Sequence, residues 1–140
     1  MGFGRSSGFV MISPMSKQPE GKLVVKIKAI FEREGARAFK IQASEESHQE
    51  VGVPDILICL WGQFVGAEVK QPGGKLRPLQ RVVLHEIFEA GGVAAVLETV
   101  EQAELLLSHI KDRRTIAEVR SGILYYRGKL HRIWPTERLE

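Results

Sequence analysis

The chain has 140 residues, 44% of them hydrophobic and 26% charged, which is enough for one globular domain with its own core. No apolar run reaches the roughly 18 residues of a membrane-spanning helix; no basic-then-apolar leader opens the chain, so an intracellular protein without membrane association is expected. Net charge is +3, and residues 113–140 carry all of the excess, with seven Lys/Arg against three Glu; this favours an anionic partner, nucleic acid first, with a plain solvated surface as the alternative.

In chain order, "MGFGRSSGFVMISPMSKQP" mixes Gly, Ser and Pro without a period and reads as a mobile arm. Met15 is a candidate start, the residues before it and Leu139-Glu140 then being cloning additions. "EGKLVVKIKAIFEREG" puts Leu23, Ile27, Ile30 and Phe31 at helical spacing, with Gly35 as its stop. "ARAFKIQAS" predicts a strand and "EESHQEVG" a polar loop. Ile56, Ile58 and Leu60 alternate, as do Val65, Ala67 and Val69, so the stretch around Gly62 predicts a β-hairpin. Cys59, the single cysteine, reads as a small buried hydrophobe.

Gly and Pro mark "QPGGKLRP" as a loop, and Pro78 suits the first turn of a second helix, "PLQRVVLHEIFEAGG". "VAAVLE" is short and continuously apolar, as a buried strand would be. Thr99 and Gln102 have capping-box spacing before a third helix, "VEQAELLLSHIK". In "GILYYRGKLHRIW", two apolar runs flank Arg127-Gly128-Lys129, predicting another hairpin. The order is α-β-β-β-α-β-α. It divides into an arm (1–18), a core (19–112) and a basic extension (113–140). The four histidines show no metal-ligand spacing.

The central hairpin carries charges that a core hairpin has no use for: Asp55, Glu68 and Lys70. Alternation places all three on one face whether the turn is Gly62-Gln63 or Trp61-Gly62. The first register sets Asp55 opposite Lys70; the second sets it opposite Glu68. Opposed residues have Cβ atoms about 4.5–5.5 Å apart, so two carboxylates can converge on a hard cation such as Mg²⁺. The competing reading is a surface ion pair, worth about 0–1 kcal/mol.

The flanking residues decide for the first. "PD" opens one strand, "ExK" closes the next, and a Gly-rich loop follows. This resembles the PD-(D/E)xK nuclease superfamily and, within it, the VRR-NUC domain, from about Glu20 to Leu107. The resemblance rests on "EGKLVVKI", Gly35, "GVPDILIC", "FVGAEVKQPGGKLRPLQ" and "AGGVAAVLETVEQA" in that order. It implies an α/β, restriction-endonuclease-like core (α-β-β-β-α-β) with a mixed central sheet flanked by helices, here extended by the basic C-terminal hairpin.

It also implies a divalent-metal-dependent endonuclease of DNA repair, using Mg²⁺ or Mn²⁺ and leaving a 5′-phosphate and a 3′-hydroxyl. Asp55, Glu68 and the Val69 carbonyl would hold the metal, with Glu20 completing the shell directly or through water. Lys70 would steady the attacking water, and Gln80 would help set up Lys70 and the phosphate. Lys40, Lys75 and Arg77 are candidate DNA contacts.

The stand-alone phage and bacterial members that the chain resembles imply branched DNA, Holliday junctions especially, as substrate in the cytoplasm. Two symmetric nicks then call for a C2 homodimer, with Tyr125, Tyr126 and Trp134 as candidate interface anchors or, equally, a local mini-core. A non-catalytic DNA-binding module on the same fold and a less specific restriction-type nuclease are the rival readings.

Overall fold

The structure, a computed structural model, describes residues 20–41, 51–114 and 121–136. The expected N-terminal arm lies outside them, as does most of the expected 45–52 loop. The elements are α1 (Glu20–Arg33), β1 (Arg37–Lys40), β2 (Ile56–Leu60), β3 (Gln63–Val69), α2 (Pro78–Glu89), β4 (Val93–Leu97), α3 (Val100–Arg114), β5 (Ile123–Tyr126) and β6 (Lys129–His131). The order is the one the apolar periods predict.

The strands form one mixed sheet in the order β1-β2-β3-β4-β5-β6. β3, β4 and β5 run parallel, and the outer pairings are antiparallel. The C-terminal hairpin therefore adds directly to the core sheet. β4, at its centre, is buried along its whole length, which explains its unbroken apolar sequence.

Helices cover the sheet from both sides. Leu23, Val24, Ile27, Ile30 and Phe31 of α1 pack with Ala103, Leu106, Leu107 and Ile110 of α3 over Ile56, Ile58, Val65, Ala67 and Val69. On the other face, Leu84 of α2 packs with Leu76, Ala94, Val96 and Leu124. α2 comes close because residue 66 is glycine: a Cβ there would meet Ile87 Cδ1 at 2.7 Å and Pro54 Cγ at 3.1 Å.

The hairpin register pairs Ile56 with Ala67 and Leu60 with Gln63. This selects the Trp61-Gly62 turn. Both residues have positive φ, 52° and 79°, the geometry whose twist matches that of the flanking strands. By the same count Asp55 stands opposite Glu68.

The structure refines several expectations. Cys59 is exposed, because it pairs with Phe64 on the α2 side of the sheet, where Phe64 is itself exposed. Tyr125 is fully buried: β5 lies between β4 and β6, and Tyr125 joins the core shared by α1 and α3, so it offers no interface anchor. Trp134 is half-buried, stacked on His85 at 4.5 Å and edge-on to Phe88 at 5.4 Å; it clips the C-terminal segment to α2. Before α3, the Thr99 hydroxyl accepts the Gln102 N–H as expected, but the Gln102 side-chain carbonyl accepts from Glu98 N–H, one residue earlier than in a closed box.

Candidate active site

The charged end of the hairpin lies away from its turn, where β3, β4 and β5 reach their carboxyl ends. In open α/β sheets these ends form the crevice in which ligands bind. Asp55 immediately precedes β2, Glu68 is the penultimate residue of β3, and Lys70 follows β3 directly. Alternation brings them to the α2 face.

Each side chain is held. Asp55 Oδ2 accepts the Val69 N–H at 2.8 Å, tying the start of one strand to the end of the other. Glu68 is 3% exposed and Lys70 9%, and Lys70 Nζ lies 3.6 Å from Glu68 Oε2. Gln80 Nε2 donates to the same Glu68 oxygen at 2.7 Å, while Gln80 Oε1 accepts the Arg77 N–H at 2.8 Å. One amide thus caps the start of α2 and fixes the Glu68 carboxylate, and its two bonds orient it unambiguously. The sequence motif placed Gln80 beside the site; the structure shows what it touches.

Burial raises the pKa of both carboxyl groups above the ordinary range. For Glu68 the repulsion of Asp55 adds to burial and lifts it to about 8, against the pull of Lys70. For Asp55 the Val69 N–H and Lys70 work against burial, and Glu20 adds to the rise. Two carboxyl groups and one lysine crowd this end of the hairpin, and burial resists charge on both carboxyls. That donor set of hard oxygens fits a divalent cation such as Mg²⁺ or Mn²⁺.

Glu20, at the exposed start of α1, acts on both carboxyls through its charge. It stands back from them: among the described residues, no three His, Cys, Asp or Glu side chains are gathered tightly enough to hold a metal. Lys40 lies on the other face of the sheet from Asp55, Glu68 and Lys70. It pairs with Ile56, and alternation turns it to the α1 side of the sheet. Lys75 and Arg77 are exposed on the loop between Lys70 and α2. Beside them lies a surface cleft of about 400 Å³ lined by Val51, Gly52, Arg77, Pro78, Leu79 and Gln80.

One group near the site carries no sequence motif. Arg127, at the tip of the C-terminal hairpin, pairs with Glu98 and donates to the Gly74 carbonyl. It belongs to the basic run expected to face DNA, yet its side chain is only 16% exposed. No local pattern in the sequence marks a contact between residues 53 positions apart.

No protein-family model matches the chain, and no curated protein does. Among solved structures, a VRR_NUC domain is similar to it: 30% identical, covering 64% of this chain and 95% of that one, with a TM-score of 0.52. With that domain covered almost end to end at 30% identity, the chain belongs to the VRR_NUC domain family.

Proposed function

We propose that this nuclease-type domain is a divalent-metal-dependent DNA endonuclease that hydrolyses phosphodiester bonds in branched DNA, four-way junctions included. The observation that carries the reading is the convergence of Asp55, Glu68, Lys70 and Gln80 at the carboxyl end of β3, each restrained by a bond or ion pair to a neighbour. A purely binding surface has no use for two neighbouring carboxylates where a phosphate must come.

Asp55, Glu68 and the Val69 carbonyl would hold the cation, with Glu20 supporting it through water. A divalent ion bound there neutralises charge at the phosphate and lowers the pKa of water. The chain's own residues do the rest. Lys70 holds a water by hydrogen bonding and offsets negative charge developing on the phosphorus oxygens. Gln80 donates to Glu68 and so holds its carboxylate in place. Lys75 and Arg77 attract the phosphates flanking the scissile bond, and the cleft beside Arg77 offers apolar walls to an adjacent sugar. The products would be a 5′-phosphate and a 3′-hydroxyl. Paired nicks across a four-way junction call for a C2 homodimer.

The test is a panel of linear, flap and four-way substrates with Mg²⁺ or Mn²⁺. Cleavage of branched substrates by the wild type, and none by folded Asp55→Ala or Glu68→Ala, supports the reading. DNA binding without cleavage under either metal would instead favour a non-catalytic module, and equal cleavage of all substrates a restriction-type nuclease. Light scattering with and without junction DNA tests the dimer.

A further inference from the structure

We propose that Arg127 is a positioning residue for this site: paired with Glu98, it locks the turn after Lys70 and so fixes Lys70 against Glu68. The inference rests on the nuclease reading above.

The geometry spans the ends of all three parallel strands. Arg127 follows β5, Glu98 follows β4 and Lys70 follows β3. Arg127 Nη1 lies 3.1 Å from Glu98 Oε2, and Nη2 donates to the Gly74 carbonyl. Glu98 Oε2 also accepts the Gly73 N–H at 3.1 Å. Both halves of the Gly73-Gly74 pair are thus held by one ion pair whose side chains are 16% and 12% exposed. The turn closes directly after Lys70: the Gly74 N–H donates to the Gln71 carbonyl at 2.8 Å, and a Cβ built at Gly74 would stand at ordinary contact distance, 3.4 Å, from the Lys70 Cβ. Lys75 and Arg77 leave directly from it.

Arginine is not the residue that the turn itself favours at this place. Arg127 has φ 49° and Gly128 φ 92°, a hairpin turn in which Asn-Gly is the favoured pair. A long side chain in the left-handed region is strained, and such strain persists where the surroundings over-determine it. A guanidinium presents two nitrogens in a rigid fork, one to the carboxylate and one to the carbonyl, whereas a lysine must serve both from a single nitrogen. The turn it restrains belongs to neither strand, so the link serves the loop that carries Lys70 into the site.

Arg127→Asn separates this role from a merely structural one, since it relieves the turn while removing the clamp. Single-turnover cleavage of branched DNA with Mg²⁺ at saturating protein should slow by about tenfold or more, as expected when a catalytic group is loosened. The melting temperature should hold or rise, and DNA affinity should stay within about twofold. Arg127→Lys should slow cleavage too, and in both variants the Gly73 and Gly74 amides should exchange faster with solvent. Wild-type rates in Arg127→Asn, beside an active wild type, would overturn this inference alone. So would a rate loss that only tracks a falling melting temperature. An inactive wild type would overturn the nuclease reading and take this inference with it.

Discussion

Replacing Glu68 with glutamine keeps the shape of the side chain and removes its charge. Without metal, the folded protein resists ionising Glu68, whose pKa is lifted from the ordinary 4.5 to about 8 by burial and by Asp55. The unfolded chain has no such resistance. The folded state therefore binds the extra proton, so stability is fully present below pH 4.5 and falls as pH rises toward 8. Each pH unit in that window removes about 1.4 kcal/mol, so the loss by pH 8 is of the order of 4 kcal/mol, a ceiling because Asp55 shares the charge. The amide introduced by Glu68→Gln can still accept from Gln80 Nε2 and has nothing to ionise. Urea unfolding in EDTA at about pH 5, 6.5 and 8 should show Glu68→Gln gaining on the wild type as pH rises, by up to several kcal/mol at the top of the range. The same substitution should abolish cleavage. Millimolar Mg²⁺ should raise wild-type stability near pH 8 and leave the variant unmoved. A stability difference that is flat with pH, or that favours the wild type more at high pH, would refute the reasoning.

Mg²⁺ added to weakly buffered wild-type protein near pH 7.5 should release up to about one proton, because the ligands must ionise to bind; a pH-stat measures it, and Glu68→Gln should release less. Lys70→Ala should cut single-turnover cleavage by about a hundredfold or more while DNA binding, followed by anisotropy, persists. Gln80→Ala removes both the Glu68 contact and the acceptor for Arg77 N–H; we expect a drop in rate of roughly 10–100-fold, on the order of that for groups that orient metal ligands, and a stability loss of about 1 kcal/mol by thermal melting. Gly66→Val drives a branched side chain into Ile87 and Pro54 and should cost about 1–3 kcal/mol of stability, read from the urea midpoint.

The hairpin shows where local reading suffices. Its alternating apolar residues left one face clean for the α1 side of the core, and that parity holds in either register. Whether Asp55 faces Lys70 or Glu68 is a shift of one residue in the turn, and the flanking strands pair equally well as patterns in both cases. The twist of the folded pair prefers the turn with two positive-φ residues, which put Trp61 in an uncommon conformation that composition does not advertise. Cys59 illustrates the opposite limit: its apolar neighbours suggest burial, but exposure depends on how far α2 extends over the sheet. Tyr125 is the converse: the sequence left it between an interface anchor and a local core residue, and it is core because β5 joins the sheet beside β4.

By itself the sequence determined the order of the elements, the core faces of the helices and strands, and the sharing of one face by Asp55, Glu68 and Lys70. Those follow from periods of about 3.6 and 2, which the backbone imposes within a few residues. Only the tertiary structure decided that Gln80 grips Glu68, that Glu20 stands back from the pair, and that Arg127 leaves the basic tail to hold Glu98 and the turn beyond Lys70. Each of those relations joins segments far apart in the chain, and they meet because three parallel strands end side by side.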